Sequence, residues 1–284
     1  MPPLQGKLFQ PGRQPLQGNC DRFEFLPLPL IMRTLITGGT SGIGLGIAGA
    51  FAAKGHALEL IGMEKDGEAI AQKLAGEYNA EVHFHYADLS RYENVKHLAE
   101  KILPHGTPDV IINNAGIQYV AAVSDFPPER WDLILSVNLS AAFYICHEFI
   151  PHMEKRRFGR IINIASAHGL VASEYKSAYV AAKHGLVGFT KVLALEGASK
   201  GITANAICPG YVRTPLVEKQ IAEQAVAHGI SEEKVIQEIM LAKQPVKQFI
   251  DIETLSAIAL LIASPQSNSI SGAVWNADGG WTAQ

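Results

Sequence analysis

From residue 31 onward, short β-branched apolar runs alternate with longer stretches whose apolar residues recur every three or four positions. The runs at 31–37, 57–62, 81–86, 109–113, 160–166, 202–208 and 273–276 are predicted strands. The stretches at 43–54, 66–77, 91–103, 128–155, 175–199 and 252–263 are predicted helices. Strands alternating with helices of this length imply right-handed βαβ units and a parallel sheet. The expected class is therefore α/β: a doubly wound parallel sheet of about seven strands with helices on both faces. One interval breaks the rhythm. After Cys208 come Pro209 and Gly210, and residues 215–243 then read as two short amphipathic helices divided near Gly229-Ile-Ser. An insertion beyond the C-terminal end of a strand lies where open α/β sheets bind ligands, so about 211–245 is a candidate lid. Residues 1–30 are rich in Pro, Gln and Gly and follow neither period; they are expected to be a poorly ordered extension. No linker-like break follows, so 31–284 is expected to be one domain.

Composition narrows the partners more than the fold. The net charge of -3 gives no basic surface for nucleic acid or an anionic membrane. Charged residues are only 18% of the chain, which points to surface buried between subunits, hence a homo-oligomer. Cys20, Cys146 and Cys208 are odd in number and widely spaced, as expected of a reducing compartment such as the cytoplasm. No uninterrupted apolar run reaches ~18 residues, so no membrane span is expected. His83 and His85 alternate onto one strand face without a third ligand nearby in sequence, so a strand-surface pair is expected and no metal.

The chemistry sits at the strand ends. Thr37-Gly38-Gly-Thr40-Ser41-Gly-Ile43-Gly44 follows the first strand and opens a helix. Its glycines permit a tight turn and let a pyrophosphate approach backbone N–H groups at the helix N-terminus, which makes the sheet Rossmann-type. Asp88, followed by Leu89, ends the third strand and can accept from an adenine amino group. Asn113, Asn114, Ala115 and Gly116 end the fourth, where a small-residue turn admits a ribose. Dinucleotide sites that prefer NAD commonly carry an acidic residue about 20 positions past the glycines. Here Gly62 and Met63 end the second strand and Glu64 follows, with no Arg or Lys within 39–41; NAD is the expected cofactor.

Further along, Ser166 ends an apolar run, and Lys176, Tyr179 and Lys183 fall on one stripe of a helix. An ammonium beside a phenol favours phenolate, so Tyr179 can act as acid or base, with Ser166 gripping a substrate oxygen.

Taken together, the glycine motif, Asn113-Asn-Ala-Gly116, Ser166, Tyr179 with Lys183, and Pro209-Gly210 resemble the short-chain dehydrogenase/reductase family in order and spacing, over about residues 32–284. The resemblance implies that Tyr179 moves the proton, Lys183 holds the nicotinamide ribose, Ser166 orients the carbonyl or alcohol, and Asn138 organises a relay from Lys183. It also places Ile43, Gly44, Leu89, Pro209, Val212 and Thr214 along the dinucleotide. Longer strings, at 114–118, 165–173, 176–185 and 212–220, are similar to those of the bacterial D-3-hydroxybutyrate dehydrogenases within that family. That similarity implies NAD-dependent oxidation of (R)-3-hydroxybutyrate to acetoacetate, with Gln118, His168, Lys176 and Gln220 holding the carboxylate. Where those enzymes commonly carry Trp after Pro-Gly, this chain has Tyr211, a smaller aromatic wall with an added hydroxyl. Two alternatives stand beside this reading: an NADPH-dependent reductase of a 3-oxo ester, ketone or thioester, and a catalytically idle dinucleotide-sensing protein.

Overall fold

Among the residues the computed structural model describes, 31–283, seven strands pair side by side and all in parallel, in the order β3-β2-β1-β4-β5-β6-β7. They are β1 (Arg33–Thr37), β2 (Ala57–Gly62), β3 (Val82–Tyr86), β4 (Val110–Asn113), β5 (Gly159–Ile164), β6 (Ile202–Pro209) and β7 (Val274–Ala277). The extension expected over 1–30 lies outside the described residues. The inner strands are buried on both sides because both faces are covered, as parallel sheets require.

Alternation along each strand divides the core. Ile36, Leu60, Ile112 and Ile162 face α1 (Gly42–Ala52), α2 (Gly67–Tyr78) and, further along the chain, the helix Ile252–Ala263. Leu35, Ile61, Ile111 and Ile161 face α3 (Tyr92–Ile102) and the two longest helices. Phe149 is fully buried in that second layer, and trimming it to Ala would cost about 3–5 kcal/mol. A polar thread crosses the same layer. Asn113 Nδ2 donates to Asn163 Oδ1 (2.8 Å), and Asn163 Nδ2 donates to Thr190 Oγ1 (2.8 Å), locking β4, β5 and a helix in register.

The helix expected over 128–155 is not continuous. It consists of α4 (Pro128–Leu135), a π-helical turn over Ser136–Ser140, and α5 (Ala141–Arg156). The wide turn carries Asn138 inward, where its Oδ1 accepts from Ile117 N (2.8 Å) and its Nδ2 donates to Ile117 O (2.9 Å). By length and composition the run Pro128–Arg156 is apolar enough to cross a bilayer, although it is interrupted by charged residues. Its apolar side is already occupied: Ile145, Phe149 and Met153 are buried against the sheet.

After β5 the chain turns through Ala167–Gly169 and enters α6 (Ser177–Gly197). The strand expected to reach Ser166 stops at Ile164, and Ser166 instead caps that turn, its Oγ accepting from His168 N (3.1 Å). The expected two-helix insertion is α7 (Pro215–His228) followed by α8 (Glu232–Lys234), which runs into a second π-helical turn over Val235–Met240. Gly229 divides them at φ 62°, a left-handed conformation that suits glycine, and Ser231 restarts the helix by capping Lys234 N. Val217, Ile221, Val235 and Met240 give this insertion its own small core, set beside Tyr211. The last helix, α9 (Ile252–Ala263), keeps the bounds expected of it.

Candidate active site

Strand order reverses between β1 and β4, and the crevice outside their C-terminal ends opens into a cavity of about 370 Å³. Its floor is the glycine turn. Gly38 has φ 61°, and a Cβ on Gly44 would lie 2.0 Å from Gly38 O, so only glycine lets the first turn of α1 pack against the loop. Asn114 ties this loop to β4: its Nδ2 donates to Thr37 O and Gly38 O, both at 3.0 Å. Thr214 caps α7 from the other side, accepting from Val217 N through its Oγ1.

Glu64 folds back over the same turn. Its carboxylate accepts from Thr40 Oγ1 (2.5 Å), Ser41 Oγ (3.0 Å) and Met63 N (3.0 Å). Burial alone would raise its pKa, but these donors outweigh burial and hold it below the ordinary carboxylate value. The fold-back needs Gly62, where a Cβ would stand 2.4 Å from Glu64 Oε2. Asp88 and Leu89 line the same end; Asp88 Oδ1 accepts from Ser90 N (2.9 Å). The open glycine turn, the backbone N–H groups of α1 and the ribose-sized gap at Gly116 fit a dinucleotide.

Ser166, Tyr179 and Lys183 meet at the centre of the crevice. Lys183 Nζ donates to Ile164 O (2.8 Å) and lies 5.7 Å from the Tyr179 ring centroid. Burial lowers Lys183 to about 8. Burial pushes the Tyr179 phenol up to about 12, and the hydrogen bond from Ser166 offsets only part of that.

The remaining wall carries donors. Lys176 is 7% exposed, and its Nζ donates to the Tyr211 hydroxyl at 3.2 Å; burial lowers it to about 8. Tyr175, at φ 64°, kinks the chain just before it. His168 is lowered to about 3, first by burial and then by the charges of Lys176, Lys243 and His184, so it is a neutral imidazole. Its Nε2 pairs with Ser173 Oγ (3.0 Å). Gln118 Nε2 is buried without a hydrogen-bond partner beside the cavity, and Gln220 reaches the cavity from α7. An unmatched buried donor at a cavity wall marks a place for a ligand oxygen.

Of the residues singled out in the sequence at this end of the sheet, Thr37, Thr40, Gly44, Asn113 and Asn138 do not line the cavity; Gln118, Pro209 and Val212 do. The sequence reading missed Trp281 and Gln244. Trp281 stacks on Tyr211 (5.8 Å between ring centroids, 11° between planes) and meets His168 edge-on at 4.9 Å. An aromatic directly after Gly279-Gly280 was the only trace of it. Gln244 is fully buried, its Oε1 accepting from Tyr211 N (2.9 Å), and nothing in its surroundings in sequence marks it.

Residues 33–225 match the protein-family model for short chain dehydrogenases. The chain is 49% identical over 251 residues to the D-beta-hydroxybutyrate dehydrogenase of Cupriavidus necator, a match covering 88% of this chain and 97% of that one. It is 49% identical over 253 residues to the enzyme of the same name from Rhizobium meliloti, covering 88% and 98%. Among solved structures it superposes on a variant of actinorhodin polyketide ketoreductase crystallised with NADPH, with a TM-score of 0.84 at 29% identity, covering 89% and 98%.

Proposed function

Because the chain belongs to the short-chain dehydrogenase family, we propose that its crevice oxidises (R)-3-hydroxybutyrate to acetoacetate, reversibly and with NAD. The observation that carries the substrate assignment is the pairing of a lysine amine, Lys176, with the partnerless Gln118 donor on the walls around the Ser166–Tyr179 pair. A short hydroxy acid presents one alcohol and one carboxylate a few ångströms apart, and this cavity offers a phenol–hydroxyl pair and a set of donors at that scale.

A bound nicotinamide dinucleotide supplies the hydride acceptor. The protein does the rest. Ser166 holds the substrate C3 oxygen, and Tyr179 takes its proton in oxidation and returns it in reduction. With the phenol pushed up to about 12, the resting site is set as a proton donor, so oxidation gains as the pH rises. Lys183 and Asp88 serve the dinucleotide, along with the glycine turn. Asn138 acts through Ile117, fixing the loop that carries Gln118. Lys176, His168 as an N–H donor, Gln118 and Gln220 hold the carboxylate. Gln220 rides on α7, so the insertion closes as a lid once the carboxylate is bound. Tyr211 and Trp281 form the aromatic wall.

Glu64 is the feature that supports NAD over NADP. Its ionised carboxylate lies across Thr40 and Ser41, where it accepts from a ribose hydroxyl and repels a 2′-phosphate. Phe143, Val192 and Leu195 are exposed on α5 and α6, and these faces pair in a homodimer or tetramer. The free buried thiols Cys146 and Cys208 suit the cytoplasm. One assay tests the reading: absorbance of the reduced cofactor with 3-hydroxybutyrate and NAD or NADP, against consumption of NADPH with an acetoacetyl thioester. Turnover confined to the thioester would overturn it.

A further inference from the structure

The crevice lies at the C-terminal ends of the strands. Further down β2 and β3, on the face that α3 covers, a second group of polar side chains converges. Glu59 on β2 and His83 on β3 are register partners in the parallel ladder, so their side chains share one face. His85 follows on that face, and His105 arrives at the end of the turn Leu103–His105, just before β4. The sequence reading saw only His83 and His85; the fold brings Glu59 and His105 to them.

Glu59 is fully buried, with the Arg33 guanidinium beside it as a counter-charge. Its Oε2 pairs with His85 Nε2 at 2.6 Å. Its Oε1 meets Arg33 Nη1 at 2.6 Å and His105 Nδ1 at 3.2 Å. The His83 and His105 rings stack with centroids 4.4 Å apart. One donor atom each from Glu59, His83 and His105 falls within 4.8 Å of the others.

An ionised carboxylate with two imidazoles is the nitrogen–oxygen donor set that zinc and its neighbours take. We propose that Glu59, His83 and His105 bind one divalent transition-metal ion, zinc being the reference, with His85 orienting the carboxylate from behind. Zinc holds such ligands at about 2.0–2.2 Å, so the donor atoms must draw in toward one another. The two rings that would move are about a third exposed, His83 at 37% and His105 at 36%, while Glu59 stays fixed in the core. Neutral imidazoles can present either nitrogen, so the ion takes the lone pair and the ring proton sits on the other nitrogen. Arg33 keeps its second hold on Glu81 Oε1 (2.8 Å) when the ion takes a share of Glu59. Glu81 also pairs with His83 Nε2 (2.9 Å), the kind of outer contact that orients a ligating ring. The bound ion would join β2, the edge strand β3 and the approach to β4, none of them part of the crevice wall at these positions.

The test uses the full chain without an affinity tag, stripped with chelator and then titrated with zinc chloride by calorimetry, with thermal unfolding followed in parallel. One ion per chain and a raised Tm are expected. His105→Ala and His83→Ala should each weaken zinc binding at least tenfold, while the exposed His97→Ala leaves it unchanged. Cobalt substitution should give a ligand-field absorption that the His83→Ala/His105→Ala double variant lacks. Both rings are partly exposed, so circular dichroism should show these variants folded. No saturable binding to the unmodified chain, or equal binding by the double variant, would overturn the proposal.

Discussion

Lys176 donates to the hydroxyl of Tyr211 across 3.2 Å, so the atom that distinguishes this tyrosine from a tryptophan is engaged with the cation of the substrate wall. The sequence marked Tyr211 as a smaller aromatic wall with an added hydroxyl; the structure gives that hydroxyl a partner. Lys176→Ala should raise the KM for 3-hydroxybutyrate at least tenfold while moving the KM for NAD little, and His168→Ala should act in the same direction. Steady-state kinetics with each substrate varied separately checks this. Equal effects on both would remove these residues from the carboxylate end.

Lys176 also sets a pH dependence. Burial disfavours its ammonium and lowers it to about 8, so the free site carries the cation below that pH and loses it above. Binding of butyrate, which cannot react, to the NAD complex should therefore weaken as pH rises through about 8. Lys176→Arg should flatten that limb, because a guanidinium stays charged. Isothermal titration across pH 6.5–9.5, roughly, reads the difference.

Tyr179→Phe removes the proton carrier and keeps the ring packed beside His168. Turnover should fall by about 10²–10⁴. Dinucleotide binding, followed by fluorescence, should persist together with the native circular dichroism. A variant that keeps most of its rate would exclude Tyr179 as the acid–base group.

Glu64→Ser should relax cofactor choice, raising kcat/KM with NADP at least tenfold relative to NAD. Gly62→Ala should shift it in the same direction through sterics alone, because its methyl would push the Glu64 carboxylate off the glycine turn.

Gln244→Ala strips the partner from Tyr211 N at a fully buried side chain, which costs about 1–3 kcal/mol. Chemical denaturation should show a lower midpoint, and the KM for the acid should rise as Tyr211 loosens.

Much of this was legible in the chain. The strand 57–62 and the helix 252–263 have the bounds expected of them, because each is a predominantly apolar run with turns at its ends. The glycine turn, Ser166, Tyr179 and Lys183 stand in local motifs whose spacing puts them together. Other parts depend on contacts no local pattern records. Glu64 reaches Thr40 and Ser41 across the space left by a missing Cβ at Gly62. Trp281 meets Tyr211 and His168 only once the C-terminus has folded back over β6. A one-turn spacing says that Lys183 is near Tyr179, not that its ammonium also donates to Ile164 O.

The wide turn at Ser136–Ser140 has a rotational consequence. An α-helix advances about 100° per residue, and a π-helical turn absorbs one residue beyond the regular ladder. Asn138, within the turn, is thus in phase with Ile117 and the crevice, and the segment after the turn is in phase with the sheet. Deleting a single residue there would straighten the rod and leave only one of the two in phase: with Asn138 kept on Ile117, Ile145, Phe149 and Met153 would swing off the core. The offset lets one helix answer to two surfaces that a uniform helix could not face at once.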